Sequence, residues 1–350
     1  MIISRTPFRI SFFGGGTDYP AWYRKHGGAA LATTISKYCY ITCRWLPPFF
    51  EHRSRVVWRL VELVKDNAEI QHPSVRATLQ RLGISRGVEL HHDGDLPART
   101  GLGSSSAFTV GLLNALNGLL GSMTSKMELT REAIQIEQEI LKENVGSQDQ
   151  TITAHGGFNR MEFGRDGSIR VNPILLGPER LVELQDHMLL IYTGLSRTAS
   201  EIAREQIQAT AHKETELRQM REMVEEAVRI LQSGQSLEAF GKLLHESWLL
   251  KRSLTTKVST PLVDEVYERA LRTGAVGGKL LGAGGGGFLL LFAAPEDQPR
   301  VLEALDGFLH VPFRFETEGS RIIFYEPDGT APEKGAAALS AAGTGTHAER

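Results

Sequence analysis

The segment Pro97–Phe108 carries the clearest chemical signal in the chain. It reads Pro-Ala-Arg-Thr-Gly-Leu-Gly-Ser-Ser-Ser-Ala-Phe, so two glycines precede three hydroxyl side chains. The apolar run Ala107–Leu120 follows and predicts a helix, which places unpaired backbone N–H groups and the positive end of a helix dipole beside those hydroxyls. Such a loop can bind a polyphosphate and its Mg²⁺. A serine-capped helix after a flexible loop is the purely structural alternative.

Glu137 is the second candidate, because its position in a predicted helix over Thr130–Asn144 faces the core. A step of about 100° per residue puts it on an apolar stripe formed by Ala133, Ile134, Ile136, Ile140 and Leu141. A carboxylate on such a stripe needs a cation or a hydrogen-bond partner. A Mg²⁺ shared with the serine loop would satisfy it, since Mg²⁺ commonly takes one or two carboxylates beside phosphate oxygens. An internal salt bridge is the alternative.

Three further polar residues are candidates only in combination. Asp149 stands in Gly146–Gln150, where a new helix is predicted to begin, and could simply stabilise the first turn. Arg9 lies inside the apolar strand predicted over Ile2–Phe13 and could be an edge residue. Asp18 follows a triple-glycine turn and could cap the next element. None of the three establishes a site by itself.

The glycine cluster Gly282–Gly287 satisfies the G-x-G-x-x-G pattern of dinucleotide-binding loops. That pattern needs a strand before it and a helix after it, whereas we expect a helix before this cluster and the strand Phe288–Ala293 after it. A Walker phosphate loop is excluded as well, because Leu280 follows Lys279. The cluster therefore predicts a close approach of two backbones, or a tight turn, rather than a nucleotide loop.

Composition narrows the possible partners. Lys and Arg number 39 and Asp and Glu 41, so the net charge of −2 gives no reason to expect nucleic acid or a membrane surface as partner. No run reaches the ~18 apolar residues of a membrane span, and we find no secretory signal. The two cysteines, Cys39 and Cys43, are expected to be buried thiols of a cytoplasmic protein.

The predicted elements fall into two groups along the 350 residues. The first half is strand-rich, with strands at 2–13, 29–44, 54–58 and 88–92 and helices at 73–82, 104–120, 130–144 and 148–154. The second half is helix-rich, with helices at 199–232, 237–251, 261–273 and 298–309 and strands at 187–192, 288–293 and 322–325. This order predicts an α+β protein of two domains that divide near residues 180–198. Residues after about 327 lack a periodic core face and are expected to form a disordered tail.

Three motifs in this order resemble those of the GHMP small-molecule kinases, which include galactokinase, homoserine kinase and mevalonate kinase. They are Arg5–Arg9 with Gly14–Asp18, Pro97–Ala107, and Lys279–Phe288, and the similarity extends over roughly residues 1–326. Within the superfamily the chain most resembles the D-glycero-D-manno-heptose 7-phosphate kinases and fucokinase-type sugar kinases. The segments that carry this finer resemblance are 14–20, 35–38, 47–50, 70–73, 146–150 and 193–197.

The resemblance implies both a fold and an activity. The fold would be the two-domain α+β GHMP kinase fold, with an N-terminal domain like ribosomal protein S5 domain 2 over residues 1–190, a ferredoxin-like C-terminal domain over 191–327 and a tail over 328–350. The activity would be transfer of the ATP γ-phosphoryl group, with Mg²⁺, to the anomeric O1 of heptose 7-phosphate. The product would be the 1,7-bisphosphate, which feeds nucleotide-activated heptose for capsule or lipopolysaccharide.

The resemblance also implies roles for individual residues. The nucleotide phosphates would lie on Gly101, Leu102, Gly103, Ser104, Ser105 and Ser106. Ser105 and Glu137 would hold Mg²⁺, although the loop is one residue longer before its alanine than the commoner form, which leaves open which serine meets the metal. Asp149 would be the catalytic carboxylate and Arg9 would stabilise charge near the reacting oxygens. Asp18 would hold sugar hydroxyls, with Gly15, Gly16, Thr17, Arg197, Lys279, Gly284 and Gly285 completing the substrate site.

Cations are expected to bind the remote phosphate of the substrate. Arg197 is the first candidate, because a guanidinium in a glycine-containing loop after a strand can bind phosphate through two hydrogen bonds, and Lys251, Lys279 and Lys37 follow. Two other functions stay open at this point: a kinase for an unphosphorylated sugar such as fucose, and a catalytically silent sensor of sugar or nucleotide. A homo-oligomer is also compatible with the sequence.

Overall fold

The computed structural model describes residues 1–195 and 199–327. In these residues the strands are β1 (Ile2–Phe13), β2 (Gly28–Trp45), β3 (Ser54–Val57), β4 (Val61–Val64), β5 (Val88–Gly94), β6 (Phe158–Phe163), β7 (Ile169–Pro173), β8 (Met188–Tyr192), β9 (Ala275–Leu280), β10 (Phe288–Ala293), β11 (Leu309–His310), β12 (Phe315–Glu316) and β13 (Arg321–Tyr325). The helices are α1 (Pro20–His26), α2 (Pro73–Arg81), α3 (Ser104–Leu119), α4 (Lys126–Ile134), α5 (Gln148–His155), α6 (Pro178–Asp186), α7 (Ala199–Ala209), α8 (Glu214–Gln232), α9 (Glu238–Leu254), α10 (Pro261–Arg272) and α11 (Gln298–Ala304).

The larger of two sheets has nine strands and is organised by the long pair β1 and β2. Its main order is β13-β1-β2-β5-β3-β4, and all of these neighbours are antiparallel except β3 and β5. The 18 residues of β2 allow it to pair with β6 through its first part and with β5 through its last part. Helix α3 packs on β1 and β2, and this packing fixes where the serine loop before α3 lies.

The smaller sheet has the antiparallel order β11-β8-β10-β9 and supplies the second half of the core. Strand β10 shows the period of two expected for a strand buried on both faces. Phe288, Leu290 and Phe292 join the core shared with the larger sheet, while Leu289 and Leu291 join a second core with α10. The apolar run predicted as a strand at 288–293 is therefore confirmed.

The chain returns to the larger sheet at its end. Strand β13 pairs with β1 and β12 pairs with β2, so residues 315–325 complete the first sheet although they follow the second one in sequence. The division into two domains at residue 190 stays a prediction. Strands β12 and β13 follow that residue in sequence but belong to the sheet of the first half. The predicted tail over 328–350 lies outside the described residues.

Two predicted elements are wrong. The single helix expected over 199–232 is two helices, α7 and α8, separated by a short 3₁₀ segment at Thr210–His212. There the Thr210 hydroxyl donates to the carbonyl of Gln206 at 3.0 Å, a side-chain bond typical of interrupted helices. The element directly before the glycine cluster is strand β9, not a helix. Its Gly277 has no side chain, which lets α9 pack closely, and its Gly278 lies against the backbone of β10.

The prediction that the two cysteines are buried thiols is confirmed. Cys39 and Cys43 are buried free thiols, and burial raises the pKa of Cys43 to about 12. No described helix combines the length and the apolar character that a membrane crossing requires.

Candidate active site

A cavity of about 290 Å³ gathers residues from distant parts of the chain. The first half of the chain contributes the end of β1, the turn after it, the serine loop and residues 143–149. The second half contributes two residues of α7, Lys251 of α9, Lys279 of β9 and the beginning of the glycine cluster. Most of the residues predicted from the three motifs therefore share one cleft.

The serine loop ends in a helix start that no side chain caps. Gly103 is the N-cap of the 16-residue helix α3 and has a left-handed backbone with φ of 72°, and no side chain accepts from the first turn. A Cβ at Gly103 would lie 2.9 Å from Cγ of Arg9, so glycine is required for the approach as well as for the backbone conformation. The exposed N–H groups of this first turn are suited to an anion.

Glu137 is fully buried and contacts the serine loop through Ser106. The Ser106 hydroxyl donates to Oε2 of Glu137 at 2.9 Å, and the side-chain amide of Gln150 donates to the same oxygen. Oε1 has no hydrogen-bond partner among the described residues, and the Thr109 hydroxyl lies near the carboxylate. Burial raises the pKa of this carboxyl to about 7, against the lowering effect of its hydroxyl and amide neighbours.

The helix that carries Glu137 differs from the prediction in a way that matters for the site. Helix α4 ends at Ile134, and Gln135–Ile140 forms a π-helical turn in which the N–H of Leu141 donates to the carbonyl of Ile136 at 2.9 Å. The wider turn changes which side chains face inward, so Ile140 is exposed although the regular helix places it on the buried stripe. Such turns recur at functional sites.

The position of Ser105 does not support its predicted role as the serine beside Glu137. Successive helix residues point about 100° apart, so only one of the three serines can face the acid. That residue is Ser106; the side chain of Ser105 is exposed at the cavity, and the Ser104 hydroxyl accepts from the N–H of Arg99 at 3.1 Å. The metal role therefore moves to Ser106 as a proposal.

The chemistry of Glu137 and Ser106 fits a magnesium ion. A buried carboxylate oxygen without a partner and an adjacent hydroxyl are both hard oxygen donors. Among the described residues, no group of three or more acid, histidine or cysteine side chains could hold a metal. Water and phosphate oxygens would have to supply the remaining ligands, as Mg²⁺ prefers.

Arg9 and Asp149 form a bidentate ion pair at the floor of the cavity. Nε of Arg9 donates to Oδ1 of Asp149 at 2.7 Å and Nη2 donates to Oδ2 at 2.6 Å. Nη1 of Arg9 donates to the carbonyl of Gly101 at 2.5 Å, which ties the pair to the serine loop. Arg9 is buried, whereas 27% of the Asp149 side chain is exposed to the cavity. Asp149 therefore keeps lone pairs that a bound hydroxyl can reach.

Asp18 lies near Asp149 and is held by backbone donors. Its carboxylate accepts from the N–H of Gly16 at 3.0 Å and of Gln148 at 3.2 Å. Burial and the neighbouring charge of Asp149 raise the pKa of Asp18 to about 6. A carboxylate fixed in this way can accept hydrogen bonds from sugar hydroxyls.

Several predicted contact residues do not line the cavity. The Thr17 hydroxyl donates to the carbonyls of Gly14 and Ala29, both at 2.8 Å, and therefore holds the turn together. Leu102 is buried in the core, and Gly284 and Gly285 pack on the backbone of Val258. Their positions do not support direct contacts with ligand. Gly15, Gly16, Gly101, Gly103 and the three serines do line the cavity.

The glycine cluster packs directly against the serine loop. A Cβ on Gly101 would lie 2.4 Å from the carbonyl oxygen of Leu281, and a Cβ on Gly282 would lie 2.5 Å from Cα of Gly101. The N–H of Phe288 donates to the carbonyl of Thr100 at 3.0 Å. The close backbone approach predicted for the cluster is confirmed, and its partner is the serine loop.

Of the predicted phosphate-binding cations, Lys251 and Lys279 line the cavity and Lys37 does not. Arg197 lies outside the described residues.

The sequence analysis missed several lining residues, among them Arg99, Glu143, Asn144, Gln148, Ala203 and Gln206. Arg99 lies in the phosphate-loop motif itself, and its left-handed backbone, with φ of 63°, is a feature that only coordinates reveal. The contribution of α7 had no signal in the sequence.

Comparison with known families decides the class of the protein. Residues 63–157 match the family described as GHMP kinases N terminal domain, and residues 223–310 match GHMP kinases C terminal. Together these matches span more than half of the chain. They include the serine loop, Glu137, Asp149, Lys251 and Lys279.

The chain belongs to the GHMP kinase family.

Relatives and a solved structure agree with this assignment. The chain is 27% identical over 338 residues to D-glycero-alpha-D-manno-heptose 7-phosphate kinase of Campylobacter jejuni, covering 91% of this chain and 97% of the relative. It is 28% identical over 245 residues to L-fucokinase/L-fucose-1-P guanylyltransferase of Bacteroides fragilis, covering 67% of this chain but 25% of that longer protein. A crystal structure of a D-glycero-D-manno-heptose 1-phosphate kinase from Bacteroides thetaiotaomicron superposes with a TM-score of 0.74 at 24% identity, covering 92% and 98% of the two chains.

The GHMP kinase fold expected from the three motifs is thus confirmed, and so is the class of enzyme. The chain is an ATP-dependent sugar kinase.

Proposed function

We propose that this kinase transfers the γ-phosphoryl group of ATP to the anomeric O1 of D-glycero-D-manno-heptose 7-phosphate and releases the 1,7-bisphosphate and ADP. The observation that carries the proposal is the Arg9–Asp149 pair, which shares one cavity with the uncapped start of α3 and with the buried carboxylate of Asp18. The heptose kinase of Campylobacter jejuni, nearly all of which aligns with this chain, supports the choice of sugar.

The first requirement of the reaction is to hold the triphosphate. The N–H groups that begin α3 and the serine hydroxyls would bind the β- and γ-phosphates. Ser106 and Glu137 would hold Mg²⁺, which when bound neutralises charge on those phosphates. Phosphoryl transfer then depends mainly on alignment and on charge stabilisation, with little covalent work for the protein.

The second requirement is to place the acceptor oxygen. Asp18 would accept hydrogen bonds from sugar hydroxyls, and the exposed edge of Asp149 would accept the proton of the O1 hydroxyl. As the bond from O1 to the γ-phosphorus forms, the bond from that phosphorus to the β–γ bridging oxygen breaks. Arg9 keeps the Asp149 carboxylate oriented through two hydrogen bonds. An anomeric hydroxyl is more acidic than an ordinary alcohol, so a modest base is sufficient.

A kinase for an unphosphorylated sugar such as fucose is the second candidate, and it is favoured by the similarity to the fucokinase of Bacteroides fragilis. A silent sensor is disfavoured, because Arg9, Asp149 and Ser106 line one cavity and Ser106 contacts the buried Glu137. A cytoplasmic location, a role in surface polysaccharide synthesis and a homo-oligomeric state stay predictions from the sequence.

An ADP-release assay over heptose, heptose 7-phosphate, heptose 1-phosphate and fucose would distinguish these functions. We expect the highest kcat/KM with heptose 7-phosphate, and ³¹P NMR should show a new phosphate ester on the anomeric carbon. A preference for a free sugar, or a new ester at another carbon, would contradict the proposal.

A further inference from the structure

Lys251 and Lys279 place two ammonium groups at the same cavity although neither has an acidic partner. Both side chains are more than nine-tenths buried and both line the cavity. Among the described residues, neither lies within 4.0 Å of a carboxylate oxygen, in contrast to Arg9, which Asp149 pairs fully. Buried lysines without a counter-ion are costly, so their presence here needs a chemical reason.

Backbone carbonyls hold both lysines but leave part of their hydrogen-bonding capacity unused. Nζ of Lys251 donates to the carbonyls of Leu280, at 2.9 Å, and Gly282, at 2.5 Å. Nζ of Lys279 donates to the carbonyl of Phe12 at 2.7 Å. An ammonium group has three N–H donors, so Lys251 keeps one and Lys279 keeps two without a protein acceptor among the described residues.

The charge of the pair is poorly compensated by the protein alone. Burial, and then the charge of Arg9, lowers the pKa of Lys251 to about 7. Burial and the charge of Lys251 lower the pKa of Lys279 well below its ordinary value. Asp18 and Asp149 oppose this lowering at Lys251 and Asp18 opposes it at Lys279, but they do not reverse it. A bound anion would supply both the missing charge and the missing acceptors.

The anchoring of Lys279 indicates which half of the cleft the anion occupies. Its carbonyl partner, Phe12, belongs to the end of β1, which leads into the glycine turn and Asp18, the proposed sugar-binding residue. The triphosphate side of the cleft already has its own donors in the uncapped start of α3. Lys279 therefore lies toward the acceptor, whereas Lys251 lies next to it in the cavity and is anchored at Gly282, which contacts Gly101 of the serine loop.

We propose that Lys251 and Lys279 bind the phosphate that the acceptor sugar already carries, and thereby select a sugar phosphate over the free sugar. This inference rests on the proposed function, because it requires an acceptor with a phosphomonoester away from its anomeric carbon. A phosphate dianion beside the two lysines would favour the protonated form of both, and its oxygens would accept from their free N–H groups.

The test compares Lys251→Met and Lys279→Met with wild type on heptose 7-phosphate and on unphosphorylated heptose. Methionine keeps the length of the buried stem without charge or donors. We expect each variant to lose about 10- to 100-fold in kcat/KM for the phosphorylated acceptor, the effect of losing a charge-assisted hydrogen bond. The loss on the free sugar should be clearly smaller, and KM for ATP should not rise. Lys242→Met is the matched control on the same helix, since Lys242 is exposed and pairs with Glu238.

An equal loss on both acceptors, a higher KM for ATP, or no change in any parameter would overturn the inference. A second measurement on wild type avoids the risk that a variant fails to fold. Methyl phosphate should inhibit competitively toward heptose 7-phosphate and not toward ATP; competition with ATP, or no inhibition, would overturn the inference as well. If wild type forms no anomeric phosphate from heptose 7-phosphate, the proposed function itself fails, which separates the two results.

Discussion

Arg9 and Asp149 face each other through two parallel hydrogen bonds, at 2.7 and 2.6 Å, across 140 residues of sequence. Arg9 is buried and also donates to the carbonyl of Gly101. One guanidinium therefore positions both the Asp149 carboxylate and the serine loop. A lysine at position 9 could not make these three contacts in one plane. The pair therefore links the Asp149 carboxylate directly to the backbone of the serine loop.

Replacing Asp149 by asparagine should nearly abolish turnover. The amide cannot accept the O1 proton, and loss of a general base commonly lowers a rate by about 10²–10⁴-fold. The affinity for ATP should remain measurable, because the start of α3 is unchanged. Steady-state kinetics together with calorimetric titration of ATP check both parts, and turnover like wild type would remove Asp149 from the mechanism.

Glu137→Gln should raise the Mg²⁺ concentration needed for half-maximal activity by about tenfold or more, because a carboxylate ligand becomes a neutral amide. Glu139→Gln is the matched control, since Glu139 is exposed two residues further along the same π-helical turn. It should behave like wild type. Mg²⁺ titrations of activity at saturating ATP measure the difference, and identical curves for the two variants would argue against a metal role.

The serines of the loop should differ in their importance. Ser106→Ala removes a donor from the buried Glu137 carboxylate and should lower kcat/KM by about 10- to 100-fold, the cost of a hydrogen bond to a charged group. Ser105→Ala should lose much less, because its side chain is exposed and does not contact Glu137. Steady-state kinetics of the two variants at the same Mg²⁺ concentration measure these losses. A larger loss for Ser105→Ala than for Ser106→Ala would indicate that Ser105 is the metal ligand.

The pKa of Glu137 predicts a dependence of stability on pH. Burial raises this pKa from 4.5 to about 7, so in the absence of Mg²⁺ and nucleotide the folded protein binds a proton more tightly than the unfolded chain. The contribution of this group is complete below about pH 4.5 and is lost as the pH rises to about 7. Glu137→Gln should remove this loss, so between pH 5 and pH 8 the variant should gain about 3 kcal/mol in free energy of unfolding relative to wild type.

Urea unfolding of both proteins across this pH range, with chelator present, measures that difference. Other acids titrate in the same pH range, but their contributions to the free energy of unfolding are the same in the variant and in wild type and therefore cancel in the difference. A constant difference at all pH values would show that Glu137 titrates at its ordinary pKa in the folded protein.

Local patterns predicted much of the fold, and they failed where distant contacts decide the structure. Strand β1, helix α3 and strand β10 follow their hydrophobic periods and were predicted almost to the residue. The π-helical turn at Glu137 leaves no trace in the pattern, because one wider turn changes the facing of only the next few side chains. Strand β9 was misread because its two glycines weaken the alternation that marks a strand.

The site shows the same limit. Glu137 was found from its place among apolar neighbours, which is local information. The choice of Ser106 over Ser105 depends on the rotation of α3 relative to that turn, and Gln206 reaches the cavity only because α7 packs beside Ala283. The sequence contains the residues involved, but their distances depend on how the two sheets pack.

The contact of Gly101 with Gly282 limits which substitutions this enzyme can accept between the serine loop and the glycine cluster. Two bare backbones touch there, with no side chain between them to be exchanged for a longer or shorter one. Side chains on the cavity wall can be substituted and can thereby change the preference for an acceptor. The distance between the two backbones at Gly101 and Gly282 cannot be changed in this way, because no side chain separates them. A single methyl group at either glycine would clash with the facing backbone and would push the serine loop and the glycine cluster apart.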